Sequence, residues 1–351
     1  MRKATGWAAR TPGTALERWD FERREPRERD VAVRVRYCGV CASDLSAVRH
    51  GDASGFPLVP GHEIVGEVEA VGSGVSGFAV GDPVAVGNIV DSCRTCAACR
   101  AGRENWCEQG VTLTYGGTDR VDGSTTQGGF SSEYVVDEHF VHHLPRGLDP
   151  AGAAPLMCAG VTTWVPLRRW GAGPGRTVGV VGMGGLGHVA LKLAHALGAE
   201  TVQFTTSPAK AEEARRLGAD DVVLSSDERR MAAQAGRCDL IIDTVGAPHA
   251  LEPYLDALAV DGTLCLVGIP EGELRVSPMS LIVGAKNLAG AGSGGVRETR
   301  EMLDFCARHG ITAETEVIPA RDVNTGLDRL ARNDVRYRFV LDMADRSGSS
   351  G

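Results

Sequence analysis

Two regimes of hydrophobic patterning predict an α/β protein: a doubly wound parallel sheet together with a separate β-rich domain. Over the first 150 residues, short runs alternate apolar and polar residues and end at Gly or Pro. From about residue 156, apolar strands alternate with segments of helical spacing, as in a parallel sheet covered on both faces. The chain has 351 residues, enough for two domains at ~150 residues each.

The elements follow in order. "DVAVRVRYCGV" (30–40) alternates apolar and polar residues and reads as a strand, as do "EIVGEVEAVGSGV" (63–75) and "GDPVAV" (81–86). "TVGVVG" (177–182) is a fully apolar strand, "GLGHVALKLAHALG" (185–198) a helix and "TVQFTT" (201–206) a second strand. "KAEEARRLGA" (210–219) is helical, and "DVVL" (221–224), "CDLIIDTVG" (238–246) and "TLCLVG" (263–268) are strands. The pattern changes again near Leu288: "RETREMLDFCARHG" (297–310) is a helix and "VRYRFVLDM" (335–343) a closing strand. The polar tail "DRSGSSG" (345–351) is expected to be disordered.

Composition narrows the function. The net charge is −8 without a basic block, which argues against nucleic acid or an anionic membrane as partner. Met1 to Arg10 lacks the apolar run of a secretory signal, and no stretch reaches membrane-spanning length, so a cytoplasmic address is expected. Ten cysteines in a reducing compartment point to metal ligands rather than disulfides.

Three groups of residues carry chemistry. Cys93, Cys96, Cys99 and Cys107 are spaced C-x2-C-x2-C-x7-C, so four thiolates on a short lobe (about 90–110) can close around Zn²⁺. Such a site holds a lobe together; an iron–sulfur cluster is the competing occupant. Gly182, Gly184 and Gly187 form G-x-G-x-x-G between an apolar strand and a helix, the turn that lets backbone approach a pyrophosphate. The next strand ends in Thr205, Thr206 and Ser207 with Lys210 nearby, where an NAD site would place an acid. Hydroxyls and a cation suit a 2′-phosphate and point to NADP(H), although a lone Lys at a helix start is commonly just solvated. Finally, Cys41, His62 and Cys158 are the residue types of a three-ligand catalytic zinc. Spacing alone does not bring them together, and a lone buried Cys otherwise reads as a small core residue.

With these residues assembled, the chain resembles the zinc-dependent medium-chain dehydrogenases, in particular the cinnamyl alcohol dehydrogenase group and its bacterial aldehyde reductases. The resemblance runs over nearly the whole chain through "CGVCASDL", "PLVPGHEIVGEV", "TQGGFSSEYVV", "APLMCAGVTTW" and "GMGGLGHVALKLA". It implies a GroES-like catalytic domain (1–155 and 292–351) and a Rossmann domain (156–291), dimerised through the Rossmann sheet. It matches Cys41, His62 and Cys158 to the catalytic zinc ligands and Glu63 to an acid able to approach that metal. Asp44 matches the carboxylate that orients the ligand His, and Ser43 the hydroxyl that donates to the substrate oxygen. The four-cysteine lobe matches a structural zinc, making two zincs per chain. Cofactor contacts fall on Thr162, on Gly182, Met183, Gly184, Gly185, Leu186 and Gly187, and on Thr244, Val267, Gly268 and Ile269. Thr205, Thr206, Ser207 and Lys210 match the region that receives the 2′-phosphate.

The resemblance implies hydride transfer between NADP(H) and an aldehyde or primary alcohol, with aldehyde reduction as the expected direction. The chain departs from the pattern at four places. Ala42 stands where a His is frequent, and Ser46 where a proton-relay His is expected, with His50 as a candidate replacement. Bulky pocket residues are frequent near "TLTY" (112–115) and "AGAGSGG" (289–295), where this chain holds Leu113 and Gly292, which implies a wider pocket around Tyr115. Two other functions stay in play: reduction of an iminium or conjugated alkene on the same scaffold, and a non-catalytic NADP-binding protein.

Overall fold

Strand Asp30–Val40 is the spine of one half of the molecule, and its alternation explains why. Val31, Val33 and Val35 are buried, while Arg34 and Arg36 on either side of Val35 are exposed. Its length lets it serve three partners. Residues 37–40 pair antiparallel with Arg338–Asp342, residues 30–34 with Glu133–Asp137, and most of its length with Ile64–Val71.

The computed structural model describes residues 1–344, so the tail 345–351 expected to be disordered lies outside the described residues. The chain divides into two units. The first is Met1–Cys158 with the described residues from Gly294 on, and the second is Ala159–Ser293.

In the first unit, seven strands form one sheet. Its order is Thr315–Pro319, Arg338–Asp342, Asp30–Val40, Ile64–Val71, Pro83–Val86 and Val141–His143, with Glu133–Asp137 joined to the long strand. The core is made of side chains such as Val33, Ile64, Val86, Phe130, Tyr134 and Phe339. An N-terminal hairpin, Arg2–Ala8 with Glu17–Arg23, was not expected from sequence. "ERWDFER" is charged at five of its seven positions and fully buries none of its residues, so it carries little apolar signal. The helix Val296–His309 buries Val296, Thr299, Met302, Leu303 and Cys306, the spacing of one helical face. It starts with Glu298 accepting from Gly295 N at 3.0 Å and ends at Gly310 with φ 65°.

The second unit is a six-stranded, all-parallel sheet. Its order is Asp221–Leu224, Glu200–Thr205, Thr177–Val181, Cys238–Asp243, Leu258–Leu266 and Asn287–Gly290. Order reverses between Thr177–Val181 and Cys238–Asp243, the crevice where such sheets bind dinucleotides. Residues Val178–Val181 and Ile241–Asp243 are buried apolar runs, apart from Gly179 and Asp243, as a strand covered on both faces requires. The last strand, Asn287–Gly290, was not read from sequence, being short, poor in β-branched residues and largely exposed.

Four cysteines lie outside any ligand set. Cys38, Cys238, Cys265 and Cys306 are all 0 % exposed, and burial pushes the thiols of Cys238 and Cys265 up to about 12.

Phe339 is fully buried where the closing strand meets the long one. Phe339→Ala is expected to cost ~3–5 kcal/mol of stability, read as a lowered midpoint in urea unfolding of the first unit.

Candidate active site and metal centres

The four-cysteine lobe is built from two short turns. Cys93 precedes a single helical turn, Ala97–Arg100, and Cys107 follows the turn Glu104–Trp106. The four sulfurs lie within 4.8 Å of one another, and Cys93 Sγ is 3.9 Å from Cys99 Sγ. Four sulfurs at ~2.3 Å from a tetrahedral zinc stand about 3.8 Å apart, so the set fits the ion. Backbone amides point at the sulfurs: Cys96 N donates to Cys93 Sγ and Cys93 N to Cys107 Sγ, each at 3.3 Å. Amide donation, chiefly from Thr95, draws the Cys93 thiol down to about 6, which favours the thiolate a metal needs. Buried Glu104 ties the lobe down, accepting from Val296 N and facing His139 Nε2, each at 3.0 Å.

The second set comes from three separate places in the first unit. Cys41 ends the long strand and begins helix Ala42–His50, His62 precedes strand Ile64–Val71, and Cys158 follows the turn Ala154–Met157. The ligand atoms of Cys41, His62, Glu63 and Cys158 lie within 4.8 Å of one another. Cys41 Sγ and Cys158 Sγ are 4.0 Å apart, again the spacing of two sulfurs on one zinc.

Asp44 organises this set. It is 0 % exposed in the first turn of helix Ala42–His50. One oxygen accepts from Cys41 N at 2.8 Å; the other accepts from Gly61 N and faces His62 Nδ1, both at 3.0 Å. With its proton on Nδ1, the imidazole turns the Nε2 lone pair toward the thiols. Burial opposes a charge on His62, but the neighbouring Asp44 outweighs it and raises the imidazole's pKa well above its ordinary value. Ser43 Oγ is 3.5 Å from His62 Nε2, so the hydroxyl stands beside the ligand group.

Arg338 is the residue that sequence reasoning missed. It opens the buried closing strand, donates through Nη2 to Glu63 Oε1, and places Nη1 3.9 Å from Cys41 Sγ. Burial pushes the Glu63 carboxyl up to about 7 against the pull of Arg338. The hydrogen bond with Cys158, then Arg338, hold the Cys41 thiol well below its usual range. Two thiolates would cancel a zinc ion's charge and Glu63 with Arg338 cancel each other, which leaves the single charge of Asp44 to be held by the Cys41 and Gly61 amides and His62. A lone Arg at the head of the apolar run "FVL" was the available signal.

The glycine motif in the second unit divides its tasks as the fingerprint requires. Gly182 turns the chain with φ 86°, and a Cβ on Gly187 would sit 2.1 Å from Gly182 O. A Cβ on Gly184 would meet nothing within 4 Å, so that backbone faces open space beneath the helix Gly187–Ala196. This arrangement fits a pyrophosphate at the helix N-terminus. Lys210 Nζ donates to Met183 O at 2.8 Å and so borders the glycine loop, while Thr205 Oγ1 accepts from Ser207 N at 3.1 Å. Thr244 Oγ1 donates to Val181 O at 2.7 Å, and Val267 N and Gly268 N donate to Asp243 O at 2.9 and 3.0 Å. Ile269 is exposed, and Thr162 Oγ1 accepts from Ser293 N at 3.3 Å.

The remaining sequence candidates are placed as follows. Tyr115 stacks obliquely 5.8 Å from the His62 ring, and burial pushes its phenol well up. Leu113 is largely exposed in the same unit, whereas Gly292 belongs to the other. Ser46 is exposed on helix Ala42–His50, and His50 stands one turn beyond it, also exposed.

Removing Arg338 leaves Glu63 buried without its partner. Arg338→Met is expected to destabilise the protein by ~3–5 kcal/mol. The double variant Arg338→Met/Glu63→Gln should recover much of that loss, measured as a double-mutant cycle in urea unfolding.

Comparison with known proteins agrees with this geometry. Residues 27–146 match the alcohol dehydrogenase GroES-like domain and residues 185–308 the zinc-binding dehydrogenase domain. A probable mannitol dehydrogenase of Fragaria ananassa is 52 % identical over 98 % of this chain and 96 % of its own length. The aldehyde reductase YahK of Escherichia coli is 49 % identical over 97 % of each chain. Among solved structures, a cinnamyl alcohol dehydrogenase of Sorghum bicolor superposes with a TM-score of 0.95 at 44 % identity over 100 % of both chains. The Helicobacter pylori enzyme, solved with NADP(H), superposes at 0.90 with 34 % identity, covering 98 % of this chain and 99 % of that one. A GroES-like domain with a four-thiolate lobe, a parallel nucleotide-binding sheet and near-complete coverage lead to one conclusion: the chain belongs to the zinc-dependent medium-chain alcohol dehydrogenases, in their cinnamyl alcohol dehydrogenase group.

Proposed function

We propose that this enzyme reduces an aldehyde to a primary alcohol with NADPH, using zinc held by Cys41, His62 and Cys158. The observation that carries the reading is the buried ligand set with Ser43 beside it. When bound, zinc supplies a Lewis acid for the carbonyl oxygen and NADPH supplies the hydride for the carbonyl carbon. The chain's own residues supply the rest. Asp44 fixes the His62 tautomer, Ser43 offers a hydroxyl to the substrate oxygen, and Arg338 balances the buried carboxylate. Glu63 is the acid close enough to exchange with a substrate or water at the metal.

Thr205, Thr206, Ser207 and Lys210 hold the 2′-phosphate in this reading. Lys210 Nζ already lies 2.8 Å from a carbonyl of the glycine loop, within reach of a phosphate on the neighbouring ribose. The Helicobacter pylori relative was solved with NADP(H), which favours the same cofactor here. We further assign a homodimer and a cytoplasmic address. The outer strand Asn287–Gly290 has an unpaired edge, and Met279, Ile282 and Val283 nearby in the sequence are exposed. Free thiols at all ten cysteines suit a reducing compartment. No helix among the described residues is long and apolar enough to cross a membrane.

A second reading is favoured by Ser46. Hydride addition to a carbonyl leaves an alkoxide that must gain a proton, and Ser cannot store one near neutrality as His does. An iminium needs hydride alone and becomes a neutral amine. A bulky substrate suits both readings, as the smaller side chains that the sequence carries at Leu113 and Gly292 imply.

NADPH is expected to exceed NADH in kcat/KM, and Lys210→Ala should cost NADPH ~10–100-fold while sparing NADH, since a hydrogen bond to a charged group is lost. Equal efficiency of the wild type with NADH would overturn the cofactor assignment. Ser46→His should speed reduction of a simple aromatic aldehyde and introduce a pH dependence near the His pKa, within the ~10²–10⁴-fold range of acid–base help. An unchanged rate and pH profile would remove the case for an unusual substrate.

A further inference from the structure

Arg23 is a half-buried cation, its Nε sealed from solvent, that the mechanism does not use. It ends the N-terminal hairpin strand Glu17–Arg23. Its guanidinium lies over Phe21 at 5.0 Å and Tyr134 at 4.8 Å. Among the described residues, no carboxylate forms an ion pair with it, although neighbouring Arg24 and Arg27 are both paired with acids. Its Nε is buried without a partner. Burial pushes its pKa down to about 10. A guanidinium held this way is unfavourable unless its remaining donors are well used.

They are used on one loop. Nη1 donates to Gln127 O at 2.9 Å, and Nη2 donates to Gly128 O at 2.8 Å and Ser131 Oγ at 2.9 Å. We propose that Arg23 is a positioning residue for the metal site: its fork fixes the loop 127–131, and that loop fixes the segment that delivers His62. The proposal rests on the reading of Cys41, His62 and Cys158 as zinc ligands.

The connection is a continuous ladder. Val59 N donates to Gln127 Oε1 at 2.7 Å, and Gln127 Nε2 donates to Pro57 O at 3.1 Å. Gly128 N donates to Val59 O at 2.7 Å, Phe130 N to Pro60 O at 2.9 Å and Gly129 N to Gly61 O at 2.8 Å. Gly61 N then donates to Asp44 at 3.0 Å, on the oxygen that faces His62 Nδ1. The two strips are too close for side chains: a Cβ on Gly128 would sit 2.3 Å from Pro60 O, and one on Gly61 2.5 Å from the Phe130 ring. A shift of the loop is therefore passed to the imidazole instead of being absorbed by slack. Gly61 directly precedes His62, whereas Cys41 meets the ladder only through Asp44 and Cys158 lies outside it, so His62 is the ligand that moves most.

The test is zinc release from the intact protein to a chromogenic chelator, with total zinc per chain from metal analysis and a thermal melt on each sample. The variants are Arg23→Met, Arg23→Lys, and Arg27→Met as a control that removes a paired arginine. The wild type should hold two zincs. Arg23→Met should release one of them on the order of 10-fold faster, the scale of losing a residue that orients a ligand, while the other zinc leaves at the wild-type rate. Arg23→Lys keeps charge but not the fork and should fall between. Arg27→Met should match the wild type. Unchanged release in both Arg23 variants overturns the proposal. So does equal acceleration of both zincs, which would be general loosening, or the same selective effect in Arg27→Met. If Arg23→Met does not fold, Arg23→Lys decides: selective acceleration supports the proposal and wild-type release overturns it. A wild type holding a single zinc would instead remove the catalytic-zinc reading on which the proposal stands.

Discussion

The carboxylate of Asp44 is the constraint on which the metal site depends. A buried charge needs several donors at once, and Asp44 has them from the Cys41 amide, the Gly61 amide and the His62 imidazole. These three groups come from two segments that sequence separates by about twenty residues. The same bonds start a helix, stop a loop and choose an imidazole tautomer. Helix capping and metal-ligand orientation are one interaction here.

Charge balance follows from that choice. Two thiols, two carboxyl groups, an imidazole and a guanidinium share one volume in which all but Cys158 are buried. Such a set is tolerated only when its members are hydrogen-bonded and their charges nearly cancel. Arg338 enters from a strand almost 300 residues from Cys41 in the chain, and pairing of that strand with Asp30–Val40 brings it there. The sheet register therefore sets the electrostatics of the site. Phe339 pairs with Val40, so Arg338 falls beside Cys41; a slip of one residue would turn it to the other face.

Much of this was legible in the chain itself. The parallel sheet announced itself through fully apolar strands and the glycine turn, because strands covered on both faces leave little room for polar residues. The four-cysteine lobe was equally plain, its ligands falling within fifteen residues. Cys41, His62 and Cys158 needed the family resemblance, since nothing local shows that they meet. The hairpin carrying Arg23 escaped notice because its residues are charged and its apolar content is low. Arg338 and Arg23 share a further reason. Each acts through contacts more than a hundred residues away, and an arginine's identity does not reveal whether it will be solvated or buried. Periodicity reports the environment of a segment; it does not report which partner a single polar side chain will find.

The distribution of cysteines has a consequence for oxidation. Cys38, Cys238, Cys265 and Cys306 are sealed in the core, and burial holds the thiols of the first three in their unreactive protonated form. The other six belong to the two ligand sets, and Cys93, Cys96 and Cys158 among them are partly accessible. Reactive sulfur and metal-binding sulfur are thus the same atoms. Metal loss and thiol oxidation become one event in such a molecule: zinc shields the sulfurs an oxidant could reach, and oxidised sulfurs no longer take zinc back.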